Sequence, residues 1–129
     1  MGMKTLMLIA LAGSLFSCTQ NGSEVNGAGA PSRNPAPPAA AQGEVLYNQF
    51  CSRCHGEKGT GTDKGPPFLS SIYEPNHHGD ESFVLAARNG SRAHHWSFGD
   101  MPPIPGVKEE DVRKITGYVR WLQKEAHIY

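Results

Sequence analysis

The tightest constraint in these 129 residues is a run of five: Cys51-Ser52-Arg53-Cys54-His55. Two thiols three positions apart, followed at once by an imidazole, restrict the chemistry to a few classes. A disulfide between the two is strained on a helical turn. A dithiol redox pair calls for a preceding strand and a βαβ context, yet no strand signal of quality and no internal repeat is present. A structural zinc site needs four ligands. The other histidines here form adjacent pairs, His77-His78 and His94-His95, not the spaced pair of a zinc finger.

One chemistry uses all three residues. Cys-x-x-Cys-His is the signature of covalent haem c attachment, in which each thiol adds to one vinyl group of the same porphyrin. Cys51 and Cys54 are then the covalent haem residues, and His55 is carried under the iron as its proximal ligand. Across the iron, the leading candidate is Met101, in Phe98-Gly99-Asp100-Met101-Pro102-Pro103. The prolines restrict that loop and hold a thioether at fixed depth, and thioether ligation raises the reduction potential. The alternatives are His94 and His95, and more remotely His77 and His78, which would give a bis-His haem. Met101 is otherwise a gap-filler.

The rest of the chain divides by composition. Residues 19–41 hold Gly22, Gly27, Gly29, Pro31, Pro35, Pro37 and Pro38 among Asn, Ser and Ala. Such a segment buries little, and is expected to act as a flexible tether spanning on the order of 25 Å. A folded domain is expected over 42–129. Val45, Leu46, Tyr47 and Phe50 predict a helix leading into Cys51. Asp80 is expected to cap a short helix through Phe83, Leu85 and Ala86, ended by Gly90. Val112, Ile115, Val119 and Leu122 predict an amphipathic helix over 108–126. The formal net charge of zero argues against a nucleic-acid binder.

Residues 1–18 read as a leader: Lys4, an apolar run from Leu6 to Phe16, then Leu15-Phe16-Ser17-Cys18. That ending resembles the bacterial lipoprotein cleavage box. The resemblance implies lipidation of Cys18 and a membrane-anchored protein of the bacterial cell envelope, its haem domain facing the periplasm or outer side.

Over about 43–125 the chain resembles a class I cytochrome c domain. Gly43 and Tyr47 match the glycine and aromatic of that family's first helix, and Ile115 and Tyr118 the aliphatic and aromatic of its last. Gly65-Pro66-Pro67-Phe68-Leu69 is similar to its Gly-Pro-x-Leu loop. The resemblance implies an all-α fold: three to four helices wrapped around one covalent haem, with the terminal helices crossing. It further implies that the Pro66 carbonyl accepts a hydrogen bond from the proximal histidine, and that Phe68 or Leu69 packs on the haem. Arg92-Ala93-His94-His95-Trp96 is no hallmark of that family; Trp96 or Arg92 is a candidate for a haem propionate, with plain packing the alternative for Trp96. Two departures stand out: Lys108 where a Ser or Thr cap is usual, and Gly117 inside the last helix.

The expected function is single-electron transfer, not catalysis, with membrane or periplasmic redox proteins as partners. The alternatives are an open-haem or bis-His peroxidase or sensor, and a haem subunit of a larger oxidase, reductase or dehydrogenase complex.

Overall fold

The computed structural model describes residues 29–129; the expected leader, Cys18 and residues 19–28 lie outside the described residues. Four α-helices follow in order: α1 (Pro38–Phe50), α2 (Ser52–His55), α3 (Asp80–Asn89) and α4 (Glu109–Glu125). Single 3-10 turns stand at Glu57–Gly59 and Ser71–Tyr73. Among the described residues no strand forms, and Ser91 and Met101 make an isolated antiparallel bridge. The fold is all-α, as the resemblance implied.

α1 begins inside the stretch expected to be tether. Pro38 occupies its first position, where a missing N–H costs nothing, and Ala39, Ala40 and Ala41 are strong helix formers. Ala40 is buried in the core. The chain just before it also finds partners on the domain. The Gly29 N–H donates to the Leu69 carbonyl at 2.8 Å, Lys58 Nζ to the Ser32 carbonyl at 2.9 Å, and Asn34 Nδ2 to Glu125 Oε2 at 2.7 Å. From residue 29 onward the expected tether is therefore pinned to the domain at Gly29, Ser32 and Asn34, with most of its residues still exposed.

α1 and α4 meet face to face over a core of Ala40, Tyr47, Phe68, Leu69, Ile115, Tyr118, Val119 and Leu122. Gly43 makes the approach feasible. A methyl group there would collide with the Lys114 carbonyl and meet Tyr118 Cβ at 2.9 Å. The buried positions of α1 are Ala40, Gly43 and Tyr47, so Val45, expected in the stripe, faces solvent. Tyr47 and Tyr118 pack at 5.5 Å between ring centroids.

A second cluster, Val84, Ala87 and Val112, joins α3 to the start of α4. Asp80 does not cap α3. Gly79 holds that position, Asp80 lies in the first turn, and its carboxylate accepts from Arg120 Nε at 2.8 Å. Leu85 is exposed because the buried face of α3 runs through Val84 and Ala87. α4 starts one residue later than expected. Lys108 makes no side-chain cap, and Glu109, Glu110 and Asp111 in the first turn favour the positive end of the helix dipole instead.

Candidate haem site

α1 hands the chain to α2 almost without a break. The Cys51 N–H donates to the Tyr47 carbonyl at 2.8 Å, and the His55 N–H to the Cys51 carbonyl at 2.9 Å. The two thiols and the imidazole thus ride on one continuous helical turn. Past His55 the chain folds back. The Gly61 N–H donates to the His55 carbonyl at 2.7 Å, Thr62 Oγ1 to the Cys54 carbonyl at 2.6 Å, and Tyr47 Oη to the Gly56 carbonyl at 2.7 Å.

That return loop delivers Pro66. Its carbonyl lies 2.9 Å from His55 Nδ1. A carbonyl only accepts, so Nδ1 carries the proton and Nε2 keeps its lone pair. His55 is 7% exposed. Burial holds its pKa below the usual imidazole range, with the Pro66 bond pulling the other way. The ring is therefore a neutral imidazole with a free nitrogen, the state that binds a metal. Phe68 stacks on it at 4.1 Å between centroids and 18° between planes.

His55 opens on a cavity of about 370 Å³, lined by Cys51, Pro66, Phe68, Phe83, Ile104 and Met101 among others. Cys51 is half-buried on its wall. Burial first, then the neighbouring Cys54, pushes that thiol up to about 12. Cys54 is exposed and outside the lining; both thiols are free, with no disulfide between them. A largely apolar slot, a thiol on its wall, a neutral imidazole and a thioether together fit a sulfur-linked haem.

The other candidates sort as follows. His78, His94, His95, Arg92 and Trp96 also line the cavity, whereas His77 does not. Trp96 stacks on Tyr73 at 5.6 Å and 12°. Leu69 is fully buried in the helix core, and Phe68 takes the cavity side of that pair. The sequence reasoning missed Arg120. It is buried, donates to the Tyr73 and His78 carbonyls and to Gln123 Oε1, and so holds the loop that forms one side of the cavity. Its signal was spacing: Thr116, Arg120 and Gln123 repeat at helical intervals beside the apolar stripe, and all three are buried.

The sequence model of the family described as Cytochrome c matches residues 40–123, from the first turn of α1 into the last turns of α4. The chain belongs to the cytochrome c family. Its cofactor is covalently bound haem c, and its general function is haem-based electron transfer. Comparison with curated proteins and with solved structures gave no match. Within the cytochrome c family frame, the Cys-x-x-Cys-His turn and the cavity it borders lie inside the matched span.

Proposed function

We propose that this cytochrome c is a single-electron carrier whose haem iron is held between His55 and Met101. The observation that carries the reading is that His55, with Nε2 free, and Met101 line the same cavity. When bound, the haem supplies a one-electron couple. The chain's part is to keep both ligand side chains still, so that little reorganises on transfer. Pro66 fixes the imidazole, and the bridge to Ser91 together with Pro102-Pro103 fixes the methionine loop. Exposed Cys54 leaves that margin of the site open to a partner.

Met101→Ala in the holoprotein tests this. The haem should lose its low-spin spectrum and its potential should fall; an unaltered low-spin spectrum would move the role to a histidine. A second reading has a specific basis, because His94 and His95 line the same cavity. An open or bis-His haem acting as peroxidase or sensor would use them, and ready binding of carbon monoxide by the ferrous protein would favour the open form. A fixed place in a larger redox complex would show as co-purification.

Location belongs to the same proposal. A lipid on Cys18 anchors the protein in the bacterial cell envelope, and the short span to the domain raises its effective concentration near membrane or periplasmic redox partners. Labelling with a clickable fatty acid, lost in Cys18→Ala, tests it; labelling that survives the substitution rejects it.

A further inference from the structure

Two histidine pairs that are separate in the sequence meet at the rim of the cavity. His77-His78 stands in the loop before α3 and His94-His95 in the loop after it. The Nε2 atoms of His77 and His95, 18 residues apart, lie 3.2 Å from each other. One ring nitrogen from each of His77, His78 and His95 falls within a sphere of contacts no wider than 4.8 Å between any two. His94 is adjacent, its ring centroid 4.3 Å from that of His95. Among the described residues none of the four pairs with a carboxylate.

The hydrogen bonds behind the rings matter as much as the distances. His78 Nδ1 lies 2.6 Å from the Ile72 carbonyl, and His94 Nδ1 lies 2.7 Å from the Arg92 carbonyl. Each carbonyl can only accept, so Nδ1 holds the proton and Nε2 keeps the lone pair. Metal-binding histidines are oriented by the same kind of backing bond. The 3.2 Å between His77 and His95 fits an ion as it stands, and His78, within 4.8 Å, has to close in by a small side-chain rotation. With metal–nitrogen bonds of 2.0–2.1 Å, two ligands of a tetrahedral ion stand about 3.3 Å apart. Arg120, which donates to the His78 carbonyl, is paired with Asp80.

We propose that His77, His78 and His95 form a binding site for a late first-row divalent metal ion of the zinc or copper type, beside the haem and separate from its iron. An all-imidazole donor set selects such ions over magnesium and calcium. His94 or water completes the coordination.

The test is calorimetric titration of the ferric holoprotein with ZnCl2, with the visible spectrum recorded in parallel and MgCl2 as control. One saturable zinc site per chain is expected, with micromolar affinity or better and an unchanged haem spectrum. His77→Ala and His95→Ala, checked for parental haem spectrum and helical content, should each weaken zinc about tenfold or more, while His127→Asn should not. No saturation by about 1 mM zinc, or affinity that survives both alanine substitutions, overturns the proposal. So does a zinc-induced change in the haem ligand spectrum, which would mean that these imidazoles serve the iron.

Discussion

Ser91 and Met101 exchange both of their backbone hydrogen bonds, Ser91 N–H to the Met101 carbonyl at 2.9 Å and Met101 N–H to the Ser91 carbonyl at 2.8 Å. Three residues further on, the Ile104 N–H donates to the Ala87 carbonyl at 2.8 Å. The methionine loop is thus stitched to the C-terminal end of α3 on both sides of Pro102-Pro103. Its thioether is positioned by main chain.

Gly90, which ends α3, is where that stitching is most sensitive. Its φ of +77° with ψ near 178° is a conformation reserved for glycine. A Cβ there would lie 2.5 Å from the Met101 carbonyl oxygen. Gly90→Ala should cost about 1–3 kcal/mol and convert part of the haem to high spin. Denaturant unfolding and visible spectra of the variant check both effects. Full stability with a parental spectrum would show that the loop is held by something else.

Arg120 is expected to matter more than a helix-surface arginine. It is 8% exposed and its donors satisfy the Tyr73 and His78 carbonyls, Gln123 Oε1 and Asp80. The guanidinium carbon also sits 5.1 Å from the centroid of the Phe83 ring. Arg120→Met takes the donor from Gln123 Oε1 and the His78 carbonyl, while the Tyr73 carbonyl keeps its bond from Gln123 Nε2, at a cost of about 2–4 kcal/mol. Asp80 is the exposed partner, so Asp80→Asn should cost under about 1 kcal/mol. Equilibrium unfolding separates the two. Hydrogen exchange should also rise first in residues 70–79, the segment Arg120 holds.

What the sequence made legible was local and periodic. The five residues from Cys51 to His55 specify a spacing that survives in any helical turn, and Val112, Ile115, Val119 and Leu122 mark the buried face of α4 directly. Pro66 was legible only through the likeness of residues 65–69 to a cytochrome c loop. The rest depended on what lies opposite. Alanine and proline are as common in tethers as in helix starts, so the beginning of α1 was hidden. Asp80 looked like a cap because Arg120, 40 positions away, was not visible as its partner. The meeting of His77 with His95 arises from how α3 carries two loops to the same rim, which no spacing within either loop encodes.

Gly117 is the one glycine inside α4 whose absent side chain serves no packing. A Cβ there meets no heavy atom within 4 Å, and its φ lies outside the glycine-only region. The unfolded chain therefore keeps freedom that the helix must remove. Gly117→Ala should stabilise the holoprotein by about 0.5–1 kcal/mol, read as a higher denaturation midpoint at unchanged slope. A destabilised variant would mean that this face of α4 is covered in the holoprotein.

Alkaline pH should unfold the protein through its tyrosines. Burial raises Tyr73 to about 12, and burial first among several causes raises Tyr47 and Tyr118 as well. All three stay neutral in the fold at pH values where the unfolded chain, with tyrosines near 10, already ionises them. The stabilisation is therefore whole below pH 10 and is lost as pH rises through 10 towards 12 and beyond. Each tyrosine removes about 1.4 kcal/mol per pH unit in that window. Stability measured by denaturant should be flat with respect to these groups from pH 8 to 9.5 and then fall, with tyrosinate absorbance appearing only as the helices melt. Tyrosinate formed at pH 10 in a protein of intact helicity would show that these hydroxyls reach solvent in the folded state.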